Sequence, residues 1–415
     1  MTGAVDLADL TGIYRDLHAH PELAFAEHRT AGIVAARLRE LGYQTATGVG
    51  RTGVVGLLAN GDGPTVLLRA DMDALPVLER TGLDYASAAR AVGDDGKEVP
   101  VMHACGHDAH VTCLLGAAAE LAADKAGWSG TLLLVFQPAE EVGGGAQAMI
   151  DDGLFDRFGV PDVVLGQHVA PMPAGLLGVR SGPAFAATDS LRVVLHGRGG
   201  HGSRPETTVD PVLMAAAVVQ RLQGIVAREL PAADAAVVTV GALHAGTVSN
   251  VIPDEAELLL SVRTFDQGIR GRVLAAIERI VRAEAAASGA PRPPEIGSLG
   301  AFPVVVNDPA ACARVTDAFA AGIGPGLVLD PGPVTGSEDV GLFATAAGAP
   351  CAYWLLGCAD PALFGAITSL EEARAIVETL PSNHSPLFAP VIEPTLRLGV
   401  AALSSAARAW LAATD

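Results

Sequence analysis

The sequence predicts an α/β protein, with a mostly parallel central sheet flanked by helices and a smaller α+β domain inserted into it. Three observations carry that prediction. Helical and strand patterns alternate along the first 165 or so residues. The strand patterns are short continuous apolar runs, as expected where helices cover both faces of a sheet. Beyond Ser181 the rhythm changes to strands of alternating polarity, the mark of an antiparallel sheet with one covered face.

In chain order, Val5 to Leu17 and Glu27 to Leu41 have the 3.6-residue periodicity of amphipathic helices, whereas Val54–Leu58 and Thr65–Leu68 read as buried strands. A helix is predicted over His110 to Ala122, and strands over Thr131 to Phe136 and Asp162 to Leu165. In the insertion, a strand over Ser190 to His196, expected as an exposable sheet edge that could pair with the same strand of a second subunit, leads into the Gly-rich segment 197–202 and a helix over Asp210 to Gln223. Strands over Ala236 to Leu243 and Ala256 to Val262 and a long helix over Gln267 to Ala287 follow, then the Pro-rich segment 290–294. The first domain resumes near Gly300, with helices over Pro309 to Phe319, Glu338 to Ala346 and Glu393 to Ala412. The expected division is 1–181 and 299–415 for the larger domain and 182–298 for the insertion. No internal repeat or low-complexity tract is evident.

Composition excludes several classes. The 415 residues are half hydrophobic and carry a formal charge of −19. Nucleic acid needs a basic face and an anionic membrane surface needs cations, so neither is an expected partner. Residues 1–6 lack a basic and apolar leader pattern, and no run of about 18 apolar residues occurs. Five scattered cysteines without framework spacing suit a reducing compartment, so a cytoplasmic location is expected. Cys113, Cys312, Cys351 and Cys358 read as core residues.

The chemistry concentrates in Met102–His110, which places Cys105, His103, His107 and His110 within nine residues. Thiolate and imidazole are donors for zinc, cobalt, nickel or manganese, and the pair Glu140-Glu141 follows an apolar run. Paired CxxC spacing of a closed structural zinc site is missing, which favours an open, catalytic site. In parallel sheets ligands sit beyond the carboxyl ends of strands. Asp71, Asp73, Glu140, Glu141 and His168 all fall at such predicted ends.

Eight segments occur in the order of one family. They are residues 17–23, 69–76, 102–110 and 137–141, then Gly199-Gly200-His201, Asn250-Val251-Ile252-Pro253, Gly336-Ser337-Glu338-Asp339 and His384-Ser385-Pro386. The chain therefore resembles the aminoacylase, hippurate hydrolase and auxin-conjugate amidohydrolase branch of the dinuclear metallopeptidases related to carboxypeptidase G. The resemblance implies a zinc-peptidase-like catalytic domain, an inserted lid or dimerisation domain, and two divalent metal ions per subunit, whether zinc, manganese, nickel or cobalt. It implies metal ligands Cys105, His107, Glu141, His168 and His384, with Cys105 bridging and Glu140 as general base. A carboxylate beside a metal-bound one can be held over the site without ligating, which agrees with that role for Glu140.

Under the same resemblance Asp71 stands where related peptidases carry a histidine ligand, and Asp73 orients a ligand; an Asx turn is the alternative for each. His201, in its Gly-rich loop, would enter the partner subunit's site in a homodimer and donate to the tetrahedral oxyanion. Asn250 and Arg263 would hold substrate carboxylate or stabilise the insertion. His18 and His20 belong to a signature of mostly structural role, and His103 and His110 are not placed on the metal. Glu206 replaces a histidine the branch often shows, so no role transfers to it. The expected reaction is hydrolysis of the amide of an N-acyl amino acid to a carboxylic acid and a free amino acid. The rival is a dipeptidase or carboxypeptidase of the same fold. The sequence leaves open the acyl group, the amino acid and the metal.

Overall fold

The computed structural model describes residues 7–93, 96–365 and 370–411. The predicted starting residue Val5 of the first helix, the leader reading of 1–6, and Ala412 of the last helix lie outside them.

The chain divides into two compact units. One comprises the residues up to Gly182, Val306–Gly332 and those from Asp339; the other comprises Pro183–Val305 and Pro333–Glu338. In the first unit, an eight-stranded sheet runs in the order Gln44–Val49, Gly53–Asn60, Gly130–Gln137, Thr65–Asp71, Val163–Pro173, Cys351–Ala359, Leu177–Gly178, Val328–Leu329. Its centre is parallel, Thr65–Asp71 pairing in parallel with both neighbours, while Gly53–Asn60 and Gln44–Val49 extend one edge antiparallel. The central strands are apolar without alternation because both faces are covered: all residues of Thr65–Asp71 but the first are buried.

Cys351–Ala359 is a central strand that the sequence reading left as core without assigning it. It pairs in parallel with Val163–Pro173, setting Leu355 opposite His168. An apolar run of this kind has no period, so pattern cannot separate strand from buried helix. Val163–Pro173 also runs eight residues past its predicted end at Leu165, which places His168 inside the strand.

The helix His107–Ala123 begins three residues earlier than its pattern suggests. Its side chains are buried nearly all round, because it lies between the sheet and the helix Ile392–Trp410. Its core side chains Leu114, Leu115 and Leu121 are at most 3% exposed. Truncating one to Ala would cost about 2–5 kcal/mol.

The second unit is a four-stranded antiparallel sheet in the order Ala236–Ala245, Glu255–Thr264, Ala187–His196, Glu295–Phe302. Helices Pro211–Leu222 and Gln267–Ala287 bury one face of it around Val193, Leu195, Leu258, Leu260, Val218 and Ile277. Both helices start where a side chain can accept from their first free amides: Asp210 from Val212 N at 2.8 Å, Asp266 from Ile269 N at 2.9 Å. One expectation is corrected here. Ser190–His196 is not an exposable edge, since Ala187–His196 pairs on both sides. The edges are Ala236–Ala245 and Glu295–Phe302, the latter formed by residues just after the Pro-rich segment.

Candidate metal centre

Three loops, with His168 and Asp71 on central strands, supply the donor atoms, and each loop has a local reason for its shape. Cys105 and His107 flank Gly106, which stands in the left-handed region at φ 80°. A Cβ there would come within 2.4 Å of Val169 Cγ2, so only glycine lets this loop close on the strand that carries His168. Glu140 and Glu141 follow the strand Gly130–Gln137 in a turn closed on Gly145, where a Cβ would collide with the Pro138 carbonyl. His384 lies in a third loop with φ 72°, and its amide donates to Ala104 O at 2.8 Å.

The imidazoles are oriented by what their Nδ1 atoms meet. Nδ1 of His107 lies 3.3 Å from Asp73 Oδ1, and Nδ1 of His168 lies 2.8 Å from the Val169 carbonyl. An oxygen acceptor calls for a proton on each Nδ1, which leaves Nε2 as the nitrogen that can ligate a cation. Nε2 of His168 faces Cys105 Sγ at 3.5 Å, and Nε2 of His384 faces Glu141 Oε2 at 3.2 Å. Nε2 of His107 lies 3.8 Å from Glu141 Oε1; both atoms are buried and have no hydrogen-bond partner. A buried imidazole nitrogen and a buried carboxylate oxygen that face each other too far apart to hydrogen-bond leave room for a cation between them. Cys105, His107 and Glu141 form one cluster able to hold a metal ion, and Asp71, His107, His110 and His168 form a second.

His110 is spent otherwise. Its Nε2 accepts from Val169 N at 2.8 Å and its Nδ1 lies 2.5 Å from Asp71 Oδ1, so both nitrogens are engaged. Asp73 uses both oxygens, Oδ1 on His107 and Oδ2 accepting from Glu141 N at 3.0 Å.

The electrostatics agree with a cation-binding pocket. Burial, then the carboxylates of Glu141, Glu140 and Asp71, pushes the Cys105 thiol up. Burial would lower His107, yet Asp71, Asp73 and Glu141 hold it up at about 10. Burial raises Asp73 against the pull of His107. Such an excess of acidic donors is what a divalent cation offsets. His103, in contrast, is pushed down to about 4, mainly by burial, and neither of its ring nitrogens has a hydrogen-bond partner.

Two polar groups beside these residues carried no role in the sequence reading. Arg69, 1% exposed, reaches Gln137 Oε1 at 2.8 Å, Asp71 Oδ2 at 2.6 Å, the Tyr353 hydroxyl at 3.1 Å and Asp339 Oδ1 at 3.2 Å. Asn383, next in sequence to His384, reaches the Cys105 loop. The signal for Arg69 was an arginine inside an otherwise apolar strand. Asn383 offered only its neighbour.

In the second unit, His201 and Asn250 come together: His201 pairs with Val251 in a short antiparallel ladder, and Gly202 N donates to Asn250 O at 2.8 Å. His201 is exposed, and its Nδ1 accepts from Ser203 N at 3.1 Å, so its Nε2 is the proton-bearing nitrogen. Arg263 donates to Thr335 O and lies 3.5 Å from Ser337 Oγ, which ties the strand Glu255–Thr264 to the Gly336-Ser337 motif. Glu206 is exposed beside Arg204.

A mostly parallel sheet whose central strands and neighbouring loops bring Cys, His and carboxylate donors together defines a metallohydrolase class, and the comparisons with known proteins give the family. The model of peptidase family M20/M25/M40 matches residues 67–380, and the chain belongs to that family. Thermostable carboxypeptidase 1 of Saccharolobus solfataricus is 37% identical over 396 residues, covering 94% of this chain and 92% of the relative. The hippurate hydrolase of Campylobacter jejuni is 39% identical over 358 residues, covering 85% and 89%. A Bacillus subtilis protein, whose crystal structure is described as a dinuclear metal-binding peptidase of the M20 family, superposes with a TM-score of 0.75 at 29% identity and 97% coverage of both chains.

Proposed function

We propose that this chain is a metal-dependent amidohydrolase that cleaves N-acyl amino acids, hippurate-like or N-acetylated, to a carboxylic acid and a free amino acid. One observation carries the reading: the orphaned His107 Nε2 and Glu141 Oε1 face each other at 3.8 Å beside Cys105, in a relative of a hippurate hydrolase. Hippurate is itself an N-acyl amino acid.

Cys105, His107, Glu141, His168 and His384 would hold two divalent ions, and zinc, manganese, nickel and cobalt all suit this donor set. When bound, such ions polarise the scissile carbonyl and make water a nucleophile near neutral pH. Glu140, 5% exposed and next to Glu141, takes the proton of the attacking water on a carboxylate oxygen. It then passes that proton to the nitrogen of the departing amino acid. Asp73 holds the His107 ring and the Glu141 backbone together, so the geometry is set before substrate arrives. His201 donates from Nε2 to the oxyanion, and Asn250, in the turn just before the paired strand Val251–Ile252, and Arg263 meet the substrate carboxylate.

A homodimer joined through the insertion belongs to the same reading. Its support is the unpaired edge Ala236–Ala245, where Val237 is 52% exposed. Reduced, unpaired cysteines support a cytoplasmic location. No helix among the described residues is long and apolar enough to cross a membrane.

The carboxypeptidase relative supports a second reading, cleavage of unblocked peptides. The test is a panel of N-acetyl, N-benzoyl and indole-acetyl amino acids against unblocked dipeptides, run on chelated and then metal-reconstituted protein. Blocked amino acids are expected to turn over faster, and only with metal. Faster cleavage of free dipeptides would favour the second reading, and full turnover of metal-free protein would overturn both.

A further inference from the structure

We propose that Asn383 is a positioning residue of this site, its carboxamide clipping the Cys105 loop to the strand that carries His168 and donating to the Cys105 sulfur. Nδ2 of Asn383 lies 3.3 Å from Cys105 O, 3.2 Å from Val169 O and 3.8 Å from Cys105 Sγ. Every one of these partners is an acceptor, which fixes the amide with its NH2 edge toward them; its two hydrogens are shared among three acceptors.

The arrangement gives one side chain a hold on three of the five ligands. It binds the main chain of Cys105 directly. It shares the Val169 carbonyl with Nδ1 of His168, which lies 2.8 Å from the same oxygen. Being next in sequence, it anchors His384, whose left-handed backbone is also pinned by the amide bond to Ala104 O. A non-glycine residue in that region stays there only when its surroundings over-determine it. Asn383 supplies part of that constraint, and the near contact of Gly106 with Val169 leaves the loop no slack.

The hydrogen bond to sulfur adds an electronic effect. An N–H donor stabilises the sulfur lone pairs, and hydrogen bonding around a cysteine sulfur is one of the ways a protein tunes a metal–thiolate site. This inference rests on the ligand reading above, with Cys105 on the metal.

Cobalt(II) titration of the metal-free full-length chain separates the two. In the wild type, cobalt is expected to produce a sulfur-to-metal charge-transfer band that Cys105→Ala lacks. Asn383→Ala and Asn383→Asp are expected to keep the circular dichroism and melting temperature of the metal-free chain, yet bind cobalt about 10–100-fold more weakly. Their band should move to longer wavelength, since the sulfur electrons lose a stabilising donor. Asn383→Gln, which keeps the carboxamide, should recover part of both effects. Wild-type affinity and band position in Asn383→Ala and Asn383→Asp would overturn the proposal alone. A wild type without the band, or its survival in Cys105→Ala, would overturn the ligand reading and the proposal with it. If Asn383→Ala fails to fold, Asn383→Ser keeps one donor and is read by the same two signals.

Discussion

Asp73 Oδ1 stands 3.3 Å from Nδ1 of His107, while its second oxygen accepts from the backbone amide of Glu141. One buried carboxylate thus orients two candidate ligands from different loops and decides which imidazole nitrogen faces the site. Replacing it with a carboxamide keeps the shape and reverses half of the polarity.

Asp73→Asn should therefore lower metal affinity by about 10–100-fold while leaving the circular dichroism unchanged. Metal content after dialysis at limiting free ion checks this. Unaltered affinity would reduce Asp73 to the turn-capping role.

Glu140 and Glu141 are adjacent in sequence and are expected to fail differently. Glu140→Gln should retain metal and lose about 10²–10⁴-fold in turnover, the usual cost of removing a general base. Glu141→Ala should lose metal as well. The reverse pattern of metal content would mean that the two roles are exchanged.

His201 is expected to serve the partner's site. Mixing inactive His201→Ala with inactive Glu140→Gln subunits and letting them exchange should restore activity, because each mixed dimer would carry one intact site. Demonstrated exchange with no recovered turnover would refute action in trans.

His18 makes a prediction about stability. It is fully buried, with Asp108 2.7 Å from Nδ1 and Glu79 3.1 Å from Nε2. Burial alone would lower it, but the two carboxylates hold it up at about 10. A folded pKa above the ordinary value of about 6.5 stabilises fully below pH 6.5, and that stability is lost as pH rises through about 10. Denaturation midpoints of the wild type should fall across this window. His18→Gln should flatten the fall and lose about 3–5 kcal/mol at neutral pH, the range for breaking a buried pair. Parallel pH profiles for both proteins would show that the pairing is not charged in the fold.

The sequence by itself determined what its local chemistry dictates. The apolar runs of Thr65–Leu68 and Thr131–Phe136 could only be buried, and the long helix Gln267–Ala287 was legible to the residue because its period and its Asp266 cap agree. The concentration of Cys105, His107, Glu140 and Glu141 marked the site through donor type alone. Tertiary structure decided everything that depends on distant partners. Cys351–Ala359 became a central strand because it pairs with Val163–Pro173, which no internal period announces. Ala187–His196 lost its expected free edge because Glu295–Phe302, more than 90 residues away, covers it. His110, kept off the metal by resemblance alone, has both nitrogens engaged by Asp71 and the Val169 amide, partners that only the fold supplies. Asn383 acquired its role only when the fold brought Cys105 and Val169 to it across more than 200 residues. A hydrogen bond is a statement about where two groups meet, and the chain order of one of them does not contain that.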